Sequence, residues 1–206
     1  SITTSADDEI INVTAADIEL AYLHVIPVTT KAGIDFTTAA NRLHVHHCSF
    51  DLFTAAVSTS TKGLAATTVA QAPTVVIVDH CYFESDGAQG AGVELGDAVN
   101  GLIEDNVFLV RAGAWAQACS FEGVTSQNGI IRNNDFVANQ ATMTIGIVGG
   151  TDAGSTCRTV IWRNFFGGAA VSTPIDNYGD LNAAIAENYK ADVGAAAGGV
   201  LWSSIT

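Results

Sequence analysis

A solenoid made only of β-strands is the fold class this sequence predicts, on three observations. A short motif returns along the chain at intervals of 24 to 33 residues, the stretches around it alternate apolar and polar residues as strands do, and no long amphipathic helix interrupts them. The copies are LHVHHCSF (43–50), VIVDHCYF (76–83), GLIEDNVF (101–108), GIIRNNDF (129–136) and TVIWRNFF (159–166). Each fits apolar-x-apolar-x-x-(Cys/Asn)-x-Phe, with Gly or Thr sometimes in the first slot. Weaker copies flank them: IELAYLHV (18–25) puts Leu23 and Val25 in the last two fixed slots, and AIAENYK (184–190) carries Ile185 and Asn188. A second strand-like element, alternating as a half-buried strand does, recurs as GIDF (33–36), GVEL (92–95) and SFEGV (120–124). Only LNAAIAENYKAD passes for a helix, and its Asn188 fits the repeat better. Irregular spacing around a fixed core suits a solenoid whose loops vary while its strands do not.

The repeat resembles the rung of the right-handed parallel β-helix, the fold of pectate lyases and phage tailspikes, over about residues 18–190. In such a stack, residues in the first and third slots point inward and meet their copies about 4.8 Å away. Asn106, Asn134, Asn164 and Asn188 then sit at an inward turn, where Asn tolerates left-handed geometry and satisfies backbone groups. Cys48 and Cys81 take that place in the two earlier rungs, and Phe50, Phe83, Phe108, Phe136 and Phe166 form an interior aromatic stack. Two readings of Cys48 and Cys81 are open, a disulfide between stacked neighbours or small buried thiols in a column. Cys119 and Cys157 read as core fillers. Seven rungs give a single-domain prism of about 34 Å, with residues 1–17 and 191–206 as its caps. The tail, with Leu201, Trp202 and Ile205, closes the last rung or meets a partner.

The second and fourth slots face outward. The second-slot column is His44, Ile77, Leu102, Ile130 and Val160, and its four aliphatic members make an apolar stripe on a face expected to be wet. Such stripes mark interfaces. Phage-type β-helices commonly trimerise side by side, so the resemblance implies a homotrimer seam here; a loop folded over the stripe, such as part of 51–75, is the other reading. The fourth-slot column is His46, Asp79, Glu104, Arg132 and Trp162. Stacked Asp79 and Glu104 stand near the separation used by retaining glycosidases, and Trp162 and Trp115 suit sugar stacking. The same column also reads as a charge-compensated ladder. His44, His46 and Asp79 make a weaker metal-ligating set, since spacing supplies no fourth ligand. His47 and His80 occupy equivalent positions in neighbouring rungs.

Composition narrows the function. The chain carries 8 Lys and Arg against 21 Asp and Glu, a net charge of −13, with 48% hydrophobic and 14% charged residues. No basic footprint exists for nucleic acid, apolar residues are too abundant for disorder, and no apolar run is long enough for a membrane helix. SITTSADDEI lacks the basic start and apolar stretch of a signal peptide, and the missing initial Met suggests a mature or trimmed form. Four cysteines do not make a disulfide scaffold. Phosphate loops, nucleophile elbows and Cys-x-x-Cys pairs are absent, and GIVGG (146–150) reads as a turn. A lyase needs a basic residue and usually a bound cation; only Arg132, Arg158 and Arg163 cluster, and the calcium-binding Asp motifs of pectate lyases do not appear. A chain this acidic also repels polyuronates.

The Ala/Thr/Val-rich style of VTAADIELAYLHV and FTTAANRLHVHHCSF resembles small acidic β-helix proteins encoded by phages. That resemblance implies a non-enzymatic virion component without a cofactor, a head decoration or a tail or fibre appendage. Its turns at 51–63, 84–91, 109–118, 137–142 and 151–156, with Trp115 and Tyr82 as loop contacts, would meet other virion proteins or a surface glycan. The alternatives are a carbohydrate-active or glycan-binding spike domain using Asp79, Glu104 and Trp162, and a secreted or cell-surface adhesin fragment.

Overall fold

The computed structural model describes residues 2–3, 10–27, 31–52, 61–66, 68, 70–86, 89–121, 128–138, 142–149, 158–168, 171–176, 184–191 and 199–204. No helix occurs among them. The chain is an all-β parallel solenoid in which each turn lays one strand on each of three faces. First-face strands are Glu19–Ala21, Leu43–His46, Val76–Asp79, Leu102–Glu104, Gly129–Arg132 and Thr159–Trp162. Second-face strands follow two residues after each: His24–Ile26, Ser49–Leu52, Tyr82–Ser85, Val107–Val110, Asp135–Ala138 and Phe165–Gly167. The third face starts with Ile11–Val13 and continues through Ala32–Phe36, Lys62–Ala66, Gln89–Glu94, Ala114–Ser120, Thr142–Val148 and Val171–Asp176 as a 7-stranded sheet.

The strand Ala184–Ala191 runs on without a break and pairs with both Thr159–Trp162 and Phe165–Gly167, joining the first two faces into one 15-stranded sheet. The solenoid has about five turns rather than the seven that counting motif copies suggests. The five copies that carry Phe have all their slots filled, whereas the outer copies place Val25 and Lys190 where Phe stands in the others. Ile2–Thr3 pairs with Val25–Ile26, so residues assigned to an N-terminal cap already belong to the sheets.

Register turns the motif into columns. Leu43, Val45, Val76, Val78, Ile103, Ile131 and Ile161 are buried, as are the five motif phenylalanines at 50, 83, 108, 136 and 166. Successive Phe rings stack with centroids 4.5 to 4.9 Å apart and planes within 12°. Each such pair is worth about 0.5–1.5 kcal/mol beyond its burial.

The corner between first and second faces corrects one expectation. The left-handed residue is not the Asn but the one before it: Tyr22, His47, His80, Asp105, Asn133, Arg163 and Glu187 have φ between 50° and 57°. That kink aims the following side chain inward, where it closes a ladder. Asn106, Asn134 and Asn164 each receive on Oδ1 the backbone N–H of the residue one rung earlier, at 2.8 to 3.1 Å. Nδ2 of Asn106, Asn134, Asn164 and Asn188 donates to a first-face carbonyl of the preceding rung, at 2.9 to 3.0 Å. Cys81 Sγ reaches the equivalent carbonyls of Val45 and Asp79, and Cys48 Sγ those of Leu20 and His46, so the thiol serves as a weaker donor in the same place. Cys48, Cys81 and Cys119 are free and buried; Cys157 lies outside the described residues.

A second left-handed column precedes the first face, at Asp17, Arg42, Val75, Asn100 and Asn128, with φ of 55° to 62°.

The third face departs most from expectation. The segments read as half-buried are buried on both sides: Ala32–Phe36 is buried at every position, and Ala114–Ser120 and Thr142–Val148 are buried over their last three residues, while Val171–Asp176 at the end of the sheet is buried only at Val171. One reason is a column of small residues that lets this face close on the aromatic stack. A Cβ at Gly63 would lie 2.6 Å from the Gly92 carbonyl and 3.0 Å from Phe83, and one at Gly92 2.7 Å from the Ala118 carbonyl. Gly146 is part of that column, inside Thr142–Val148, not a turn. SFEGV (120–124) does not begin a strand; the strand is Ala114–Ser120, which reaches only its first residue.

Candidate functional site

The outer side of the first face carries the charged and aromatic residues that the repeat aligns. Strand register fixes two columns there. One runs Glu19, His44, Ile77, Leu102, Ile130, Val160, Ala184, and the other Ala21, His46, Asp79, Glu104, Arg132, Trp162, Ala186.

The N-terminal end is a histidine field. All five histidines of the chain lie in three neighbouring rungs, at positions 24, 44, 46, 47 and 80. His44 Nε2 is 2.8 Å from Asp79 Oδ2, and His80 Nδ1 is 3.2 Å from Asp79 Oδ1. His46 Nε2 is 2.8 Å from Glu19 Oε1, and its Nδ1 is 2.9 Å from His47 Nδ1. The His44 and His46 rings stack at 4.3 Å, and His47 lies on His80 at 5.1 Å. Burial works to raise the Asp79 pKa, but hydrogen bonds from His44 and His80 outweigh it and hold the carboxyl below its ordinary value. His24 makes a separate contact with Asp51 at 2.6 Å on the second face.

Beside this field, at the corner, Tyr22, His24, Cys48, His80 and Tyr82 line a shallow groove. The neighbouring Cys81 thiol draws the Cys48 pKa down to about 7 against the opposing effect of burial, and Cys48 together with burial pushes the Cys81 thiol up.

Further along the column the acids are paired. Glu104 neighbours Asp79 in register, yet its Oε2 receives Arg132 Nε at 2.6 Å and Nη2 at 2.5 Å. Trp162 Nε1 donates to Glu187 Oε2 at 3.1 Å, and the Arg163 guanidinium sits 4.3 Å over the indole ring. Asp79 and Glu104 therefore belong to two separate sets, Asp79 hydrogen-bonded to His44 and His80 and Glu104 ion-paired with Arg132, and the Trp162 ring already carries a cation on a face. Trp115 corrects the expectation outright: it lies in the strand Ala114–Ser120, fully buried against Phe108, and cannot stack on a sugar. Tyr82 likewise opens a second-face strand and is not a loop residue.

The apolar column is half-buried at Ile77, Leu102 and Ile130, and Val160 is 41% exposed. Of the stretch 51–75, residues 51–52 and 62–66 belong to strands of the second and third faces; 53–60 lie outside the described residues. The expected turns shorten in the same way, since 84–91 and 109–118 are mostly strand, and 151–156 are outside the described residues.

One apolar surface escaped the sequence reading. On the second face, Tyr82, Val107, Asp135, Phe165 and Tyr189 are register neighbours, with Leu109 and Val137 in the column beside them. Phe165 is 40% and Tyr189 49% exposed. Reading the seventh slot, between Asn and Phe, would have exposed it. Comparison with protein-family models, curated proteins and solved structures gives no match to this chain.

Proposed function

We propose that the chain is a non-enzymatic structural solenoid of a phage particle, a head decoration or a tail or fibre appendage, acting as a homotrimer. The finer resemblance to right-handed tailspike-type β-helices belongs to this reading. The observation that carries it is the unbroken column Ile77, Leu102, Ile130 and Val160, held in register on the outer side of a rigid sheet. Four aliphatic side chains in consecutive rungs form a straight ridge, and a sister chain with the same rung spacing is the partner whose periodicity matches it. The ion pair of Glu104 with Arg132 and the hydrogen bond of Asp79 with His44 support a mechanical role over acid–base catalysis.

Light scattering on the purified chain tests this. The expected mass is three chains, and Leu102→Asp with Ile130→Asp should reduce it to one. A monomeric wild type, or a trimer unmoved by the double substitution, overturns the reading. Reducing ends released from a polysaccharide, with the release abolished by Asp79→Asn or Glu104→Gln, would establish the glycan-active alternative.

A further inference from the structure

We propose that His44, His46 and Asp79 bind one divalent transition-metal ion of the zinc type on the outer side of the first face, stapling two neighbouring rungs. This does not depend on the assembly proposed above. Each of the three offers one ligand atom, and these atoms all lie within 4.8 Å of one another. The contact between His44 Nε2 and Asp79 Oδ2 is 2.8 Å. Ligands about 2.0–2.2 Å from a tetrahedral zinc stand roughly 3.3 Å apart, a spacing between those two limits. Seating the ion requires His46 to give up one of its two contacts, with Glu19 at Nε2 or with His47 at Nδ1.

Backbone register pre-arranges the set. His44 and His46 alternate onto one side of the same strand, with stacked rings, and Asp79 is the register partner of His46 in the next rung. Two imidazoles and a carboxylate suit zinc, copper or nickel rather than calcium or magnesium, which prefer oxygen. The outer contacts are those of a metal centre. Glu19 faces one nitrogen of His46, and His80 holds the Asp79 oxygen that His44 does not touch. Such partners orient ligands and fix tautomers. Side-chain exposures of 38% for His44, 13% for His46 and 15% for Asp79 leave the site open to solvent, so water can complete the shell. Without a metal, the His44–Asp79 hydrogen bond holds the same two groups together.

The test is calorimetric titration of the tag-free, chelator-stripped chain with zinc chloride, with cobalt(II) absorption as a second readout. One ion per chain is expected, together with a higher melting temperature and the visible bands of a low-coordinate cobalt site. His44→Ala and His46→Ala should each weaken zinc binding by about tenfold or more. Asp79→Asn, which keeps size and a hydrogen-bonding oxygen, should weaken binding without unfolding the chain, and His24→Ala should bind as wild type does. The proposal fails if the wild type binds no zinc tighter than about 100 μM, if His44→Ala and His46→Ala bind as tightly as wild type, or if His24→Ala is the variant that loses binding.

Discussion

The side-chain oxygen of Asn134 accepts two hydrogen bonds from Asn106, one from its backbone N–H and one from Nδ2, each at 3.0 Å. Asn134 Nδ2 in turn lies within 3.0 Å of the Ile103, Arg132 and Asn164 oxygens. One buried amide thus serves groups in three successive rungs. Asn134→Ala leaves several of them without a partner, at roughly 1–3 kcal/mol each. We expect a loss of about 3 kcal/mol or more in urea unfolding, and a smaller loss for Asn134→Cys, since Cys holds the equivalent place at positions 48 and 81. The reverse order would show that the ladder contributes through packing alone.

Val75 adopts φ of 62° in the column where Asn100 and Asn128 adopt 55° and 57°. A β-branched residue is strained there, while Asn accepts the left-handed region readily. Val75→Asn should stabilise the chain by about 1 kcal/mol, read as a rise in melting temperature. A fall would mean that Val75 packing outweighs its backbone strain.

Gly92 stands where a Cβ would meet the Ala118 carbonyl at 2.7 Å and both Phe108 and Trp115 at 2.9 Å. Two aromatic rings and a backbone oxygen of the next strand cannot all give way. Gly92→Ala is therefore expected to cost about 1–3 kcal/mol, as overpacked cores do. An unchanged denaturation midpoint would show the third face to be looser than its spacing implies.

Asp135 keeps contact with solvent on the second face, but partial desolvation between Val107 and Phe165 raises its pKa. A raised folded-state value means the folded chain binds the proton more tightly than the unfolded one. Folding therefore carries a penalty above the folded pKa that disappears as pH falls below the ordinary value of 3.8. Asp135→Asn should be more stable than wild type at pH 7, with the difference closing in acid. Parallel pH–stability curves for the two proteins would contradict this.

The first face was legible because its signal is local. Two inward residues, an Asn or Cys and a Phe recur within eight positions, and strand periodicity assigns the outward slots, including His44, His46 and Asp79. The left-handed corner was not legible, since the kink falls on residues as different as His47, Asp105, Arg163 and Glu187. Backbone pairing of the stack imposes that geometry, and side-chain preference does not announce it. Trp115 is hard to place from sequence because the turn before its strand is short, only 111–113, with Gly113 at φ 72°. Third-face strands lie at varying distances from the motif, and their Gly-containing column resembles turn composition.

The strand Gly199–Ser204 runs antiparallel to Ala184–Ala191, whereas every other strand pairing among the described residues is parallel. A row of parallel strands is a template on which a further chain can be copied in the same direction. The reversed strand presents the opposite polarity along the part of that row it covers, from Ile185 to Lys190. The stack is therefore directional: over the length the reversed strand covers, a further parallel strand at this end would meet a ladder of the opposite polarity.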